Sequence, residues 1–259
     1  MTYWAKSIII NCFRKYIKTC PDKIIEQIVN CFDYYTSDFF FFYNFSPMAK
    51  NFISNKDETV RMFESNFLER FSRIHFAVPL FIFLPVVFYF TYQSIFGFHL
   101  GILSILGYFM LGLFVWTLTE YVLHRFLFHW MPPGKIGARM HFVFHGVHHD
   151  YPSDSKRLVM VPSISIPLAA LFYFIFKMIL GSQLVAPFFA GFLIGYLFYD
   201  MTHFALHHYN FKSKFWLNLK HHHMIHHYKD MDNGYGVSSK IWDYVFRTTF
   251  KSKDVAGDK

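Results

Sequence analysis

Two long apolar stretches dominate the chain. From Ile74 to Thr119 there are 46 residues without an Asp, Glu, Lys or Arg, and from Leu158 to Tyr199 there are 42, interrupted only by Lys177. Apolar runs of this length predict membrane-spanning helices. A straight helix of the first length would run about 69 Å, roughly twice the hydrocarbon thickness of a bilayer. Each stretch must therefore fold back, the first at Gly97-Phe98-His99-Leu100-Gly101 and the second at Gly181-Ser182-Gln183. The pattern predicts an all-α integral membrane protein with four transmembrane helices in two hairpins, at about 74–96, 101–120, 158–179 and 184–200. Residues 1–73 form an N-terminal cytosolic or interfacial segment and residues 74–259 the membrane domain. Pro79, Pro85, Pro162, Pro167 and Pro187 fall in or near the spans, where neighbouring helices can satisfy the freed carbonyls. Gly191 and Gly195 make a small-xxx-small pair that lets the fourth span pack closely.

The N-terminal segment carries weaker signals. Trp4, Ile8, Ile9, Cys12, Phe13 and Tyr16, with Lys and Arg between them, fit a basic amphipathic helix on a membrane surface. The run Phe39–Phe42 is too short to span and suits the interface. Asn11, Arg14 and Lys15 interrupt any signal-peptide core. Cys12, Cys20 and Cys31 are odd in number and lack metal spacing, which reads as reduced thiols.

Charge sets the orientation. Ten Lys and Arg precede the first span, five lie between the hairpins and nine follow the last, so the positive-inside rule places both termini and the segment 121–157 on the cytosolic side. The net charge of +8 then reads as attraction to anionic lipid heads rather than to nucleic acid. With 54% hydrophobic residues the chain is not disordered, and three cysteines do not make a disulfide scaffold.

Fourteen of the sixteen histidines lie between His124 and His227, in four groups that each follow a hairpin on the cytosolic side. HRFLFH gives His124 and His129, and HFVFHGVHH gives His141, His145, His148 and His149. THFALHH gives His203, His207 and His208, and HHHMIHH gives His221, His222, His223, His226 and His227. At about 100° per residue, positions i, i+3 and i+4 share a helix face. His145, His148 and His149 fit this, as do His223, His226 and His227, and His203 with His207 is an i, i+4 pair. His124 and His129, five apart, diverge on an ideal helix; they face two different metals, or the helix tightens or breaks between them. His208, His221 and His222 point away from their groups, and His141 sits one turn before His145. Ten imidazoles are too many for one ion and suit two at roughly five each. Glu120 and Asp200 lie just before the first ligands of their hairpins, at offsets that can orient His124 and His203 from behind. With Tyr199 they are the candidate catalytic groups. Tyr151, Arg157 and Lys240 are candidates for substrate contact.

At these motifs the chain resembles the fatty acid 2-hydroxylases of the fatty acid hydroxylase and sterol desaturase superfamily. The superfamily pattern is HxxxH or HxxxxH, HxxHH, HxxxH and HxxHH. The intervening stretches EYVLHRFLFH, HFVFHGVHHDYPSDSKRLVMVP, YDMTHFALHH and GYGVSSKIWDYVF look like the 2-hydroxylase branch, as does FESNFLERFSR before the first span. The resemblance runs from about Phe63 to Phe246. It implies a cytosolic helical cap over the spans holding a dimetal centre, and O₂-dependent hydroxylation of a fatty acyl chain at C2, free or in ceramide. It carries the metal ligands over to His124, His129, His145, His148, His149, His203, His207, His223, His226 and His227. Iron is the implied native metal, with zinc able to occupy the same nitrogens. Many members begin with a cytochrome b5 domain containing His-Pro-Gly-Gly, which is not found here. Electrons are then expected from a separate carrier such as cytochrome b5 or ferredoxin. The implied location is the endoplasmic reticulum for a eukaryotic protein and the inner membrane for a bacterial one.

Three rival readings follow from the same residues. A sterol oxidase or desaturase would keep the metal site and change the pocket. A membrane zinc hydrolase would need a carboxylate base beside bound water, and no HExxH is present. A metal transporter would place polar residues at mid-membrane, which the spans lack.

Overall fold

A computed structural model describes residues 52–250, and among these all regular structure is helical. The signals at Trp4–Tyr16 and Phe39–Phe42 and the three cysteines lie outside the described residues. A short helix, α1 (Asn66–Phe71), is followed by α2 (Val78–Tyr92), which ends in a π-helical turn over Gln93–Gly97. Next comes α3 (Ile102–Val122), extended by a second π-helical segment, Leu123–Phe128. Then α4 (Gly134–His141), a third π turn (Phe142–Gly146) and α5 (Val147–Asp150) form one irregular rod. The long α6 (Pro162–His208), α7 (Lys214–Tyr228) and α8 (Ile241–Val245) complete the chain.

Three of these segments are long and apolar enough to cross a membrane: Val78–Gly97, Ile102–Phe128 and Pro162–His208. The turn between the first two falls where the glycines place it. The 47-residue third segment is not one straight rod. Gly181 leaves the helical region at φ 75° and ψ 173°, a backbone state that costs an L-residue with a Cβ but not glycine. Phe176 and Phe188 then face each other at 4.8 Å between ring centres, and Phe172 and Phe192 at 5.3 Å. Both pairs are centred on residue 182, so the two halves run back along each other. The spans also start and end differently from their sequence boundaries. The second runs on through the π segment to Phe128 instead of stopping near 120, and the long helix begins at Pro162, whose fixed φ suits a first helical position.

The second half of α6 is the central post. Val185, Phe188, Phe189, Phe192, Leu193, Tyr196 and Tyr199 are buried there against Phe83 and Val87 of α2 and Trp116 of α3. Close approach replaces side-chain packing at one crossing: a Cβ on Gly191 would lie 1.9 Å from the carbonyl oxygen of Phe109, and one on Gly112 equally near that of Phe188. The outward faces stay apolar, with Phe81, Phe88, Leu103, Phe174 and Met178 all exposed. That is the surface lipid tails would cover.

Ahead of the spans, residues 52–74 strap onto the segment 150–157. The amide of Ile53 donates to the carbonyl of Asp150 (2.8 Å), that of Ile74 to Lys156 (3.0 Å), and the Thr59 hydroxyl to Asp154 (2.8 Å). Glu69 anchors the strap. Its carboxylate accepts from the amides of Met62 (2.8 Å) and Phe63 (3.0 Å), pairs with Arg157 at 2.8 Å and contacts Arg73.

Candidate metal centre

All ten histidines favoured by spacing come together, in two groups of five. One is His124, His129, His145, His149 and His226; the other is His148, His203, His207, His223 and His227. Within each group one nitrogen per ring lies within 4.8 Å of every other. The two groups adjoin, with the rings of His149 and His227 stacked at 4.3 Å. His141, His208, His221 and His222 stay outside both.

Local backbone geometry explains the membership. His129 joins His124 because the helix widens between them rather than tightening or breaking. The amide of His129 donates five residues back to the carbonyl of His124 (3.1 Å), which brings positions i and i+5 to one face. The i, i+3, i+4 triads split between the groups: His145 and His149 go one way and His148 the other, and His226 parts from His223 and His227.

The donor chemistry fits metal ions. Backbone carbonyls only accept, so the rings facing them carry the proton on Nδ1. This holds for His124 toward Tyr235 (2.5 Å), His226 toward Asn233 (2.7 Å) and His203 toward Leu158 (2.9 Å). In a neutral ring the Nε2 atom is then a lone pair aimed inward. Nε2 of His124 lies 3.1 Å from that of His145 and 3.2 Å from that of His129, which is 3.0 Å from His226. In the other group the separations are 2.9 Å for His203–His148, 3.0 Å for His148–His227, 3.2 Å for His227–His223 and 2.9 Å for His207–His223. Two nitrogens bound at right angles to one ion, each at about 2.1 Å, would sit about 3.0 Å apart. Burial, reinforced by neighbouring imidazoles, holds His145, His148, His149, His223 and His227 well below the usual imidazole range, and His226 at about 4. They are therefore neutral near pH 7, the form that binds metal.

A cavity of about 420 Å³ opens beside the groups. His145, His148 and His203 line it, with Asp200 and Tyr199, and its walls are largely apolar: Phe63, Phe67, Phe71, Phe128, Phe144 and Ile164 among them. The volume falls in the range of ligand pockets. The strap residues Met62 to Ser72 form one side of it.

The other sequence candidates land in different places. Asp200 is fully buried and borders the cavity, but it does not orient His203; the Leu158 carbonyl holds that ring, and Asp200 Oδ1 lies 3.4 Å from the Met160 amide. Tyr199 stacks on the His203 ring at 5.8 Å. Glu120 does not reach a histidine and does not line the cavity. It accepts from the amides of Val237 and Ser238, both at 2.8 Å, and from the Ser238 hydroxyl. Arg157 lines the cavity, yet its guanidinium is already shared among Glu69, Asp154, Ser72 and the Val60 carbonyl. Lys240 bonds Asn218, and neither it nor Tyr151 borders the cavity, because the strap and the 157–164 segment take those positions.

Sequence reasoning missed Asp243. It is fully buried and accepts from the amides of Tyr235 and Gly236, both at 2.9 Å, from the Thr248 hydroxyl at 2.8 Å, and lies 3.2 Å from His222 Nε2. The available signal was its position as the only acid between Asn233 and Phe250.

The sequence model of the fatty acid hydroxylase family matches residues 109–248. The chain is 37% identical to the fatty acid 2-hydroxylase of Rattus norvegicus, over 73% of this chain and 56% of that protein. It is 40% identical to the ceramide very long chain fatty acid hydroxylase scs7 of Schizosaccharomyces pombe, over 71% of this chain and 53% of that one. To the Arabidopsis thaliana dihydroceramide fatty acyl 2-hydroxylase FAH1 it is 38% identical, over 74% and 80% of the two chains. The chain thus spans little more than half of the first two relatives. A solved structure described as full-length scs7p, with only its hydroxylase domain visible, superposes with a TM-score of 0.68 at 41% identity, covering 72% of this chain and 70% of that one.

Proposed function

The chain belongs to the fatty acid hydroxylase family, and from that premise we propose that it inserts oxygen from O₂ into a fatty acyl chain at C2, the acyl group being free or part of a ceramide. The observation that carries the reading is a single cavity bordered by apolar side chains and by histidines of both five-membered groups. His124, His129, His145, His149 and His226 would hold one metal ion and His148, His203, His207, His223 and His227 the other, iron in function. When bound, the metals supply the redox chemistry with O₂ that an unactivated C–H bond requires.

The chain's own residues do the rest. Phe63, Phe67, Phe71, Phe128 and Phe144 take the acyl chain and keep water from the reacting carbon. Tyr199 fixes the plane of the His203 ring, and Asp200 offers a hydrogen-bond acceptor at the cavity wall. The Leu158 carbonyl fixes the proton of His203 on Nδ1. The two halves of α6 are the third and fourth spans, both termini lie in the cytosol, and the site sits on the cytosolic side. Electrons arrive from a carrier such as cytochrome b5 or ferredoxin. The membrane is that of the endoplasmic reticulum in a eukaryote and the inner membrane in a bacterium.

The test is expression in a host that lacks 2-hydroxy lipids, followed by mass spectrometry of its lipids with and without O₂. New 2-hydroxyacyl species that need O₂ are expected. Products formed equally without O₂ would point to hydrolysis instead.

A further inference from the structure

Two buried carboxylates, Glu120 and Asp243, touch no member of either histidine group, and the function above assigns them nothing. Both grip one loop. Asp243 accepts from the amides of Tyr235 and Gly236, and Glu120 from those of Val237 and Ser238. Four successive amides are thereby satisfied, by two side chains drawn from α3 and α8. The loop's carbonyls point the other way. Asn233 accepts from His226 Nδ1 and Tyr235 from His124 Nδ1. The grip is tight: a Cβ on Gly236 would come within 2.0 Å of the Ser239 carbonyl and 2.8 Å of Asp243 Oδ2. The loop donates no such carbonyl to the second group, whose carbonyl partner is Leu158, far upstream.

We propose that Glu120 and Asp243 are positioning residues that, through the carbonyls of Asn233 and Tyr235, set metal affinity in the His124 group alone and leave the His148 group untouched. The inference rests on the metal-centre reading. A ring whose proton is held on Nδ1 presents a fixed Nε2 lone pair, and releasing it lets the proton or the ring plane wander. The two acids differ in what they tolerate. Both oxygens of Asp243 accept from backbone amides, so an amide NH₂ must oppose a donor. At Glu120 one oxygen takes both amides and the other faces a hydroxyl, which can accept from an NH₂.

The experiment uses the full chain purified in detergent from cultures supplied with iron or zinc. It measures metal per chain and the rate of metal loss to EDTA. The parent should hold two equivalents; if it holds none, the metal-centre reading itself fails. Asp243→Asn should release one equivalent about 10–100-fold faster than the parent, with the other unchanged. Combined with His149→Ala it should lose no more than His149→Ala alone, whereas combined with His207→Ala it should lose nearly everything. Should Asp243→Asn not accumulate as folded protein, Glu120→Ala should lose the same equivalent and Glu120→Gln should keep it. Two parental release rates in Asp243→Asn, or equal weakening of both groups, overturns the proposal while the parent's two equivalents leave the metal reading standing.

Discussion

The two histidine groups have the same number of donors and similar spacings, but they are held differently. The His124 group is braced from behind: two of its rings are pinned by carbonyls of a loop that is itself clamped by buried acids. The His148 group is barer. Only His203 has a backbone carbonyl on Nδ1, and the Nδ1 atoms of His223 and His227 have no hydrogen-bond partner in the structure, as is also true of both nitrogens of His149 in the His124 group. In exchange it borders the cavity with two rings, His148 and His203, against the single His145 of its neighbour. One group is braced by its loop and the other is turned toward the cavity. Equal ligand counts do not imply equal roles.

The largest effect expected is from the ligands themselves. His148→Ala and His226→Ala should each abolish hydroxylation and each remove one metal equivalent. Elemental analysis alongside product assay checks this, and normal turnover in either variant would sink the assignment. Loss of both equivalents from either change would show that the groups act as one site. Filling the cavity should separate chemistry from metal. Ile164→Trp intrudes on the cavity, so turnover should drop about tenfold or more, about 1.4 kcal/mol of lost transition-state binding, while both equivalents remain.

The strap is next. Glu69→Gln removes one of the two carboxylates paired with buried Arg157 and sets an NH₂ against a guanidinium or a backbone amide, and should cost about 3 kcal/mol, read as a lower melting temperature. Burial pushes the Glu69 carboxyl up, but hydrogen bonds from Arg73 and the amides of Phe63 and Met62, with Arg157 nearby, bring it down to about 2. A carboxyl lowered from 4.5 stabilises the fold above that pH and loses its contribution as pH falls toward 2. The difference between parent and Glu69→Gln should therefore be full at pH 6 and shrink below pH 4.5. A difference that grows in acid would contradict the ion cluster. The smallest effect is at the hairpin turn. Gly181→Ala forces a side chain into a positive-φ, extended-ψ state that is essentially glycine's alone and should cost about 1–3 kcal/mol, with metal content and turnover unaffected.

Much of this was readable in the residues. Absence of charge over two long stretches located the apolar helices, and the glycines at 97, 101 and 181 located their turns, because both signals are carried by side-chain type. Helical spacing sorted eight of the ten inward histidines and set His208, His221 and His222 aside, whereas His124 and His129, which diverge on an ideal helix, and the exclusion of His141 came from the family pattern. Two ions at about five rings each were expected, but which ring joins which group was not readable. It depends on where the helix departs from 3.6 residues per turn, and nothing in HRFLFH announces a π turn. The bracing carbonyls of Asn233, Tyr235 and Leu158 left no trace either, because every residue has a carbonyl. Glu120 and Asp200 drew attention by standing near histidines in sequence; in space one holds a loop and the other borders a cavity.

The wide turn between His124 and His129 has a consequence of its own. Wound as an ordinary α-helix of the same length, the segment would carry His129 about 140° around the axis from His124, since five steps of about 100° overshoot one turn. His129 would leave its group even though every donor was still present in the chain. Between those two histidines the winding of the backbone is a dimension of the site, set as firmly as the identity of the rings.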